Sequence, residues 1–324
     1  MPRSIASVFT EPSEYQAALC DVGGLSLFVT ASGRFRARLT QVSLHNLRLA
    51  VVEENLPRIG FLAVPEEDVL ISFPLGGHPA PVWGGMTPRT DEFMTVGPGH
   101  RLHVRTQGPS RWGAIWFPAQ ELTEYFHVLT ECTLAISPFA QRRRPPAAVS
   151  RWILHLHAAA IRSGEARPNI IVSAEAAHGM EQQLIEAVVE CLLKGQSDER
   201  TPAGHRRQGV MIRFEELLRT QQERQLSADE LSGAIGVSGR LLRLCCREEL
   251  GMSPVSYVRL RALHQVRHIL RNQGPGGADV SQIARSHGFR HLGRFAATYC
   301  SLFGELPSTT MSRNSGQSVA HLVL

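Results

Sequence analysis

Residues Leu226–Arg313 carry the same short pattern twice, and this repeat constrains the fold more than any other part of the chain. The first copy runs from Leu226 to Arg243 and the second from Asp279 to Phe295. Each predicts a short amphipathic helix, a glycine turn, and at once a second helix with arginines on its outer face. In the first copy Ser227 opens the helix and Glu230, three residues on, completes a capping box. Leu231, Ala234 and Ile235 are expected inward. Gly236 supplies the left-handed turn, Val237 fills the corner, and Ser238 caps the next helix. On that helix Leu242 and Cys246 point in, leaving Gly239, Arg240 and Arg243 to point out. An arginine at this place is well set for a guanine edge or a phosphate.

An opening helix over Val210–Thr220 precedes the first copy, with Val210, Phe214, Leu217 and Leu218 inward. Between the copies, Leu250-Gly-Met-Ser-Pro254 stops one helix and starts another, with Ser253 as cap and Pro254 as its first residue. That helix is expected to run to about Asn272 and spans roughly 28 Å at 1.5 Å per residue. Its inward stripe is Tyr257, Leu260, Leu263, Val266 and Leu270. A rod of this length sets two recognition helices about one DNA turn apart, near 34 Å. The second copy repeats the logic with Ile283 and Ala284 inward, Gly288-Phe289 at the turn, and Arg290, His291 and Arg294 outward. Leu292, Phe295 and Tyr299 face in, Gly304 ends the helix, and Pro307-Ser308 opens a final short one.

Charge follows the repeat. The whole chain of 324 residues has a formal net charge of +5. Residues 204–324 hold 16 arginines against 9 acids, a net +7, while residues 1–149 balance at 13 each and residues 150–203 stand at −2. A positive excess confined to the helical repeat is the footprint of a nucleic-acid binder.

Residues 1–145 read as β. Phe35–Leu44 alternates with period two, and short runs follow at 47–53, 59–64, 69–74, 93–96, 102–106 and 113–117, separated by Gly-Gly, Pro-Gly and Gly-Pro pairs. Such strands suggest a sandwich or barrel with room for one small ligand. The candidate effector residues are Arg48, Trp83, His103, Trp112 and Trp116, because aromatics with one cation suit an organic acid or an aromatic molecule. Each also has a plain packing reading. His100 and His103 are three apart and so point to opposite faces of a strand, and these β-rich residues hold no His-x-His with a following Glu. Neither a metal, a cofactor nor an enzymatic activity is expected, and the sequence contains no G-x-S-x-G, H-E-x-x-H or phosphate loop.

The region 146–203 reads as a helical dimerisation and linker segment. Helices are expected at 119–135, 150–162 and 174–193, and the last carries a stripe of Met180, Leu184, Ala187, Val188 and Cys191. The stripe either closes the domain core or forms a dimer seam. Arg142-Arg-Arg-Pro-Pro146 is read as a solvated loop, and Gly195–Gly204 as a linker. A DNA-binding domain then occupies 204–313, with a tail at 314–324. Six scattered cysteines without a C-x-x-C pair suggest reduced thiols. No apolar run nears the roughly 18 residues of a membrane span, and the N-terminus lacks a signal-peptide core, so a cytoplasmic, membrane-free protein is expected.

Ala284-x3-Gly288-Phe289-x5-Phe295-x8-Gly304-x2-Pro307, with Arg313 beyond, resembles the signature of AraC/XylS-type transcriptional regulators. Ala234-x3-Ser238-x-Arg240-x-Leu242 and Leu250-Gly-Met-Ser-Pro254 match the first half of the same domain. The resemblance covers about 100 residues, 210–313. It implies two helix-turn-helix subdomains on a long helix, binding to promoter double-stranded DNA in successive major grooves, and activation by contact with RNA polymerase. By position, Ser238, Gly239, Arg240 and Arg243 serve the first groove and Arg290, His291 and Arg294 the second. Three residues depart from the pattern. Cys246 stands where an aromatic core residue is usual, Leu244 where arginine is common, and Arg290 where a capping serine is frequent.

The expected architecture is therefore α+β, with an N-terminal cupin-like barrel or sandwich that senses a small-molecule effector and a C-terminal all-α tandem helix-turn-helix domain. The expected function is a ligand-responsive transcription activator acting as a homodimer. Two alternatives stand beside it: a cupin-type metal enzyme with an appended DNA-binding domain, and a thiol-based redox regulator using Cys245 and Cys246.

Overall fold

The computed structural model describes residues 3–20, 23–166, 174–198, 202–220, 226–272 and 278–312. Arg313, the tail 314–324 and the Gln273–Gly277 turn lie outside them. The chain forms two compact units, one of residues 1–27 with 35–205 and the other of residues 28–34 with 206–324. None of the described helices is long and apolar enough to cross a membrane.

Along the chain come β1 (Arg3–Phe9), α1 (Pro12–Cys20), β2 (Gly24–Val29, whose last two residues belong to the second unit), β3 (Ala37–Ser43), β4 (Arg48–Glu54), β5 (Arg58–Ala63) and β6 (Asp68–Pro74). It continues through β7 (Val82–Trp83), β8 (Phe93–Val96), β9 (Arg101–Arg105), β10 (Ser110–Pro118), α2 (Ala119–Thr130), β11 (Gln141–Arg144), α3 (Ala147–Ala166), α4 (Ala174–Lys194) and β12 (Gln196–Asp198). The strands make two sheets, in the orders β1-β3-β4-β10-β6-β8-β11-β12 and β2-β5-β9-β7. The sheet-rich half expected from the period-two runs is thus present.

Strand β10 shows how the layers are built. It lies between β4 and β6, with Ala114 opposite both Ala50 and Ser72. Successive side chains alternate between faces. Ile115 and Phe117 join Val51, Ile71 and Phe73 in an apolar core completed by Leu122 of α2, Ile153 of α3, and Leu184 and Val188 of α4. Trp112, Ala114 and Trp116 take the other face. Gly113 has no room for a side chain, because a Cβ there would lie 2.3 Å from Phe73 Cε2 and 3.1 Å from His157 Cε1. The missing methyl lets the Phe73 and His157 rings meet edge to face, with centroids 4.9 Å apart.

The α4 stripe of Leu184, Ala187, Val188 and Cys191 is buried in this core, with Met180 packed on its edge. Core closure, not a dimer seam, is its place in the fold. Glu181 on the same helix is also buried. Its carboxylate accepts the backbone N–H groups of His45 and Asn46 at 2.7 and 3.0 Å, fixing the turn between β3 and β4.

Two expectations for the connecting segments need correction. Arg142–Arg144 is not a solvated loop but strand β11, paired with β8 and β12. Arg142 binds Asp198, and Arg144 binds the buried carboxylate of Glu92. Within the supposed linker, Gln196–Asp198 is strand β12, and a helix already begins at Pro202.

The second unit comprises α5 (Pro202–Thr220), α6 (Ala228–Ala234), α7 (Gly239–Leu250), α8 (Pro254–Asn272), α9 (Val280–Ser286) and α10 (Leu292–Phe303). Residues 307–312 form a last helical turn. Tyr257, Leu260, Leu263, Val266 and Leu270 are buried along α8, as their spacing predicts. Residues 28–34 pack with this unit: the Phe28 ring meets Tyr257 edge on, and His264 Nε2 donates to the Val29 carbonyl at 2.8 Å.

Candidate nucleic-acid interface

Local chemistry sets each helix-turn-helix before any packing is considered. Ser227 accepts the Glu230 backbone N–H, while Glu230 accepts the Ser227 N–H at 2.8 Å, closing a capping box at the start of α6. Asp279 and Gln282 close the equivalent box at α9. The turns pass through Gly236 and Gly288 at φ +69° and +81°, where a side chain would strain the backbone. The Val237 N–H then reaches the Ser232 carbonyl, and the Phe289 N–H the Ala284 carbonyl, both at 3.0 Å. The two units share the same geometry.

Packing fixes which faces remain outside. In α7, Leu242, Cys245, Cys246 and Leu250 are buried, and Ser238 caps the helix by accepting the Leu241 N–H at 3.2 Å. Arg240 and Arg243 are exposed. Gly239 faces Arg243: a Cβ on it would sit 3.4 Å from Arg243 Nη1, so this guanidinium lies over the first turn of α7. In α10, Phe295 and Tyr299 are buried with Phe289, while Arg290, His291 and Arg294 are exposed. All the arginines expected on the outer faces are therefore outside. One inward residue is not as expected. Ala234 is exposed, and Ser232 takes the buried place near it.

The three departures have local outcomes. Cys246 is fully buried, and its thiol contacts Met211 Sδ at 3.9 Å, so sulfur fills the space of an aromatic ring. Leu244 is exposed. The N-cap of α10 is His291, not Arg290, and it makes no side-chain capping bond.

A groove crosses the second unit, lined among others by Glu230, Val255, Arg259, Arg290, His291 and Arg294. Its arginines converge from α8 and from the turn and start of α10. Arg259 was not singled out from sequence. Its Nη2 donates to Thr298 Oγ1 at 3.4 Å, but its buried Nε has no hydrogen-bond partner. A buried donor without an acceptor is costly. The only sequence signal was an arginine lying off the apolar stripe of the rod helix.

Supporting interactions hold this face rigid. Glu215 of α5 is buried and accepts Arg261 Nη1 at 2.6 Å as well as the Tyr257 hydroxyl. Tyr299 donates to Thr310 at 2.8 Å, Thr310 to Glu305 at 2.9 Å, and Arg267 also reaches Glu305 at 3.3 Å. That chain ties α10 and the final turn to α8.

The five effector candidates do not all come together. Trp83, Trp112 and Trp116 line one cavity between strands of the first unit, with about 440 Å³ of atom-free space, part of it open to solvent. Arg48 stands opposite Trp116 in register, yet its guanidinium is bound to Asp68 and it lines a separate open groove. His103 is buried on β9 with its ring 4.9 Å from that of Phe61 and is not part of the cavity wall. The cation in the wall is Arg58, whose side chain is engaged by Glu54 at 2.9 Å. Its position one residue before an apolar run marked it as a strand end.

Cys245 and Cys246 are both buried. Burial pushes the Cys245 thiol up to about 11 and that of Cys246 higher still. Both are held as thiols, which opposes the redox reading. Among the described residues no three His, Cys, Asp or Glu side chains are grouped to hold a metal ion.

Comparison with known proteins bears on the helical part. Residues 231–313 match a family described as a helix-turn-helix domain. Over 90 residues the chain is 39% identical to the XylDLEGF operon transcriptional activator 2 of Pseudomonas putida, an alignment covering 28% of this chain and 57% of that protein. The XylDLEGF operon transcriptional activator of the same organism is 37% identical over 89 residues, 28% of each chain. The chain thus spans little more than half of the first relative and 28% of the second. The crystal structure of the AraC-like transcriptional activator CuxR aligns with a TM-score of 0.45 at 13% identity, over 87% of this chain and 99% of that one.

Proposed function

Through its C-terminal helix-turn-helix part this chain belongs to the AraC/XylS family of transcriptional regulators, and from that premise we propose that the whole chain is a ligand-responsive activator. Its two recognition helices read successive major grooves of promoter DNA. The observation that carries the reading is the pair of capped helix-turn-helix units on one rod, each exposing arginines at or beside the start of its second helix. Arginines so placed meet guanine edges and phosphates, and Arg259 adds a further cation to the groove beside the second recognition helix.

Activation through RNA polymerase and action as a homodimer belong to the same proposal, and kinship with operon activators supports the first. The first unit is the sensor, a cupin-like pair of sheets whose tryptophan-lined cavity takes a small effector. Promoter-fragment binding measured against salt tests the proposal. A steep fall of affinity with salt, and a loss with Arg243→Ala and with Arg294→Ala on a specific fragment, are expected. Equal binding to every fragment would remove the specific-regulator reading.

A further inference from the structure

Three of the chain's four tryptophans line the cavity of the first unit, and two of them leave a buried donor unused. Trp112 and Trp116 lie four apart on β10 and so share one face of the strand. The Trp83 ring meets that of Trp112 edge to face, with centroids 5.6 Å apart. Trp112 Nε1, Trp116 Nε1 and Ser26 Oγ are all buried without a hydrogen-bond partner, and all three residues line the cavity. Buried polar atoms in native proteins are nearly always paired, so three orphans lining one cavity, two from β10 and one from β2 of the other sheet, point to a missing acceptor.

The charge lining the same cavity is already balanced. Arg58 Nε donates to Glu54 at 2.9 Å and its Nη1 to the Val104 carbonyl at 2.8 Å. Glu54 also accepts the Tyr15 hydroxyl at 2.7 Å and Ser110 Oγ at 3.0 Å. A carboxylate entering the cavity would find no uncompensated cation, and an unpaired buried anion is far more costly than a neutral acceptor. Phe61, Leu70 and Val104 complete an apolar lining.

From these groups we infer that the cavity takes a small, uncharged aromatic molecule bearing a carbonyl-type acceptor, which the indole N–H groups of Trp112 and Trp116 and the hydroxyl of Ser26 bind. The inference rests on the effector reading above and narrows it from an organic acid or aromatic to the neutral class. The ring stacks among the tryptophans, and the acceptor relieves the orphan donors.

The test uses the full chain and three probes of like size: acetophenone, benzoate and ethylbenzene. Intrinsic tryptophan fluorescence reports occupancy directly, because Trp152 alone lies outside the cavity wall. Acetophenone is expected to bind about tenfold tighter than either benzoate or ethylbenzene, the ratio expected for hydrogen bonds to otherwise unsatisfied donors. Trp116→Phe and Ser26→Ala, each checked for unchanged thermal unfolding, should each lower the preference for acetophenone over ethylbenzene. If Trp116→Phe does not fold, Ser26→Ala and Trp112→Phe carry the same test. Benzoate binding tighter than acetophenone, no binding of any probe, or variants that keep the full preference would overturn the inference. Promoter affinity is measured in parallel. Acetophenone that binds but leaves promoter affinity and transcription unchanged would sink the effector reading while the ligand class stands.

Discussion

Glu215 and Arg261 face each other across the second unit at 2.6 Å, both withdrawn from solvent. They lie 46 residues apart in sequence, on α5 and α8, and the Tyr257 hydroxyl shares the same carboxylate. Truncating one partner of a buried pair leaves the other charge without compensation. Glu215→Ala is therefore expected to destabilise the second unit by about 3–5 kcal/mol, and Glu215→Gln by less, because the amide still accepts. Denaturant unfolding of the two variants checks it, and an unchanged midpoint for Glu215→Ala would show that the pair contributes nothing.

Arginines of different duty should separate in binding experiments. Arg294→Ala removes a base-edge candidate and is expected to cost about 1–3 kcal/mol on the specific fragment, with relaxed specificity. Arg259→Leu removes a phosphate candidate. Its loss should be uniform across fragments and lower the salt slope by about 1. Identical behaviour of the two variants would contradict this division.

The start of α10 sets stability against recognition. His291 occupies the N-cap with no capping bond, whereas Ser238 caps α7. His291→Ser should raise the unfolding free energy by about 1 kcal/mol while weakening promoter binding. Ser238→Ala should lose about the same amount. A rise in both stability and affinity for His291→Ser would place this residue away from the DNA.

Acid should loosen the first unit through His157. Burial, above all, holds its pKa down to about 4 from an ordinary 6.5, although the Ala114 and Ala50 carbonyls oppose the shift. The folded state thus keeps the ring neutral while the unfolded chain takes a proton below about 6.5. This residue leaves stability untouched above that pH and removes up to about 3 kcal/mol as pH falls towards 4. His157→Gln keeps a donor for the Ala50 carbonyl, now 3.1 Å away, and does not titrate. Its stability should vary less with pH between 6.5 and 4, and an unaltered pH profile would exclude His157 as the source.

Thiol reagents should sort the cysteines by exposure. Cys20 and Cys132 are exposed, while Cys191, Cys245 and Cys246 are buried. Burial pushes the Cys191 thiol up to about 12. Mass spectrometry after brief alkylation of the native chain should find Cys20 and Cys132 modified and these three intact until denaturant is added. Rapid modification of Cys245 would revive the thiol-sensor reading.

Much of the second unit was legible because its signals are short-range. The capping boxes at Ser227/Glu230 and Asp279/Gln282 and the glycine turns all act within a few residues, and the α8 stripe repeats at helical spacing. Ala234 was misplaced because at the end of a seven-residue helix one position decides which side is outward. In the first unit the alternating strands were visible, but β1 was not. It is an edge strand with mostly exposed residues and so carries no apolar alternation. Strand β11 was hidden too, since three arginines and a following proline read as loop until Glu92 and Asp198 arrive from elsewhere to bind them.

The helix-turn-helix repeat and its outward arginines were determined by the sequence alone, because caps, turns and helical periodicity depend on neighbours in the chain. Which aromatics share a cavity, and with what charge, was decided only by the tertiary structure. Trp83, Trp112 and Trp116 were visible as candidates, but Arg58 replaced Arg48 in the wall and His103 fell outside it. The physical reason is strand order: β10 lies beside β4 and β6, and β2 beside β5, so the wall is assembled from segments whose meeting depends on long-range backbone pairing.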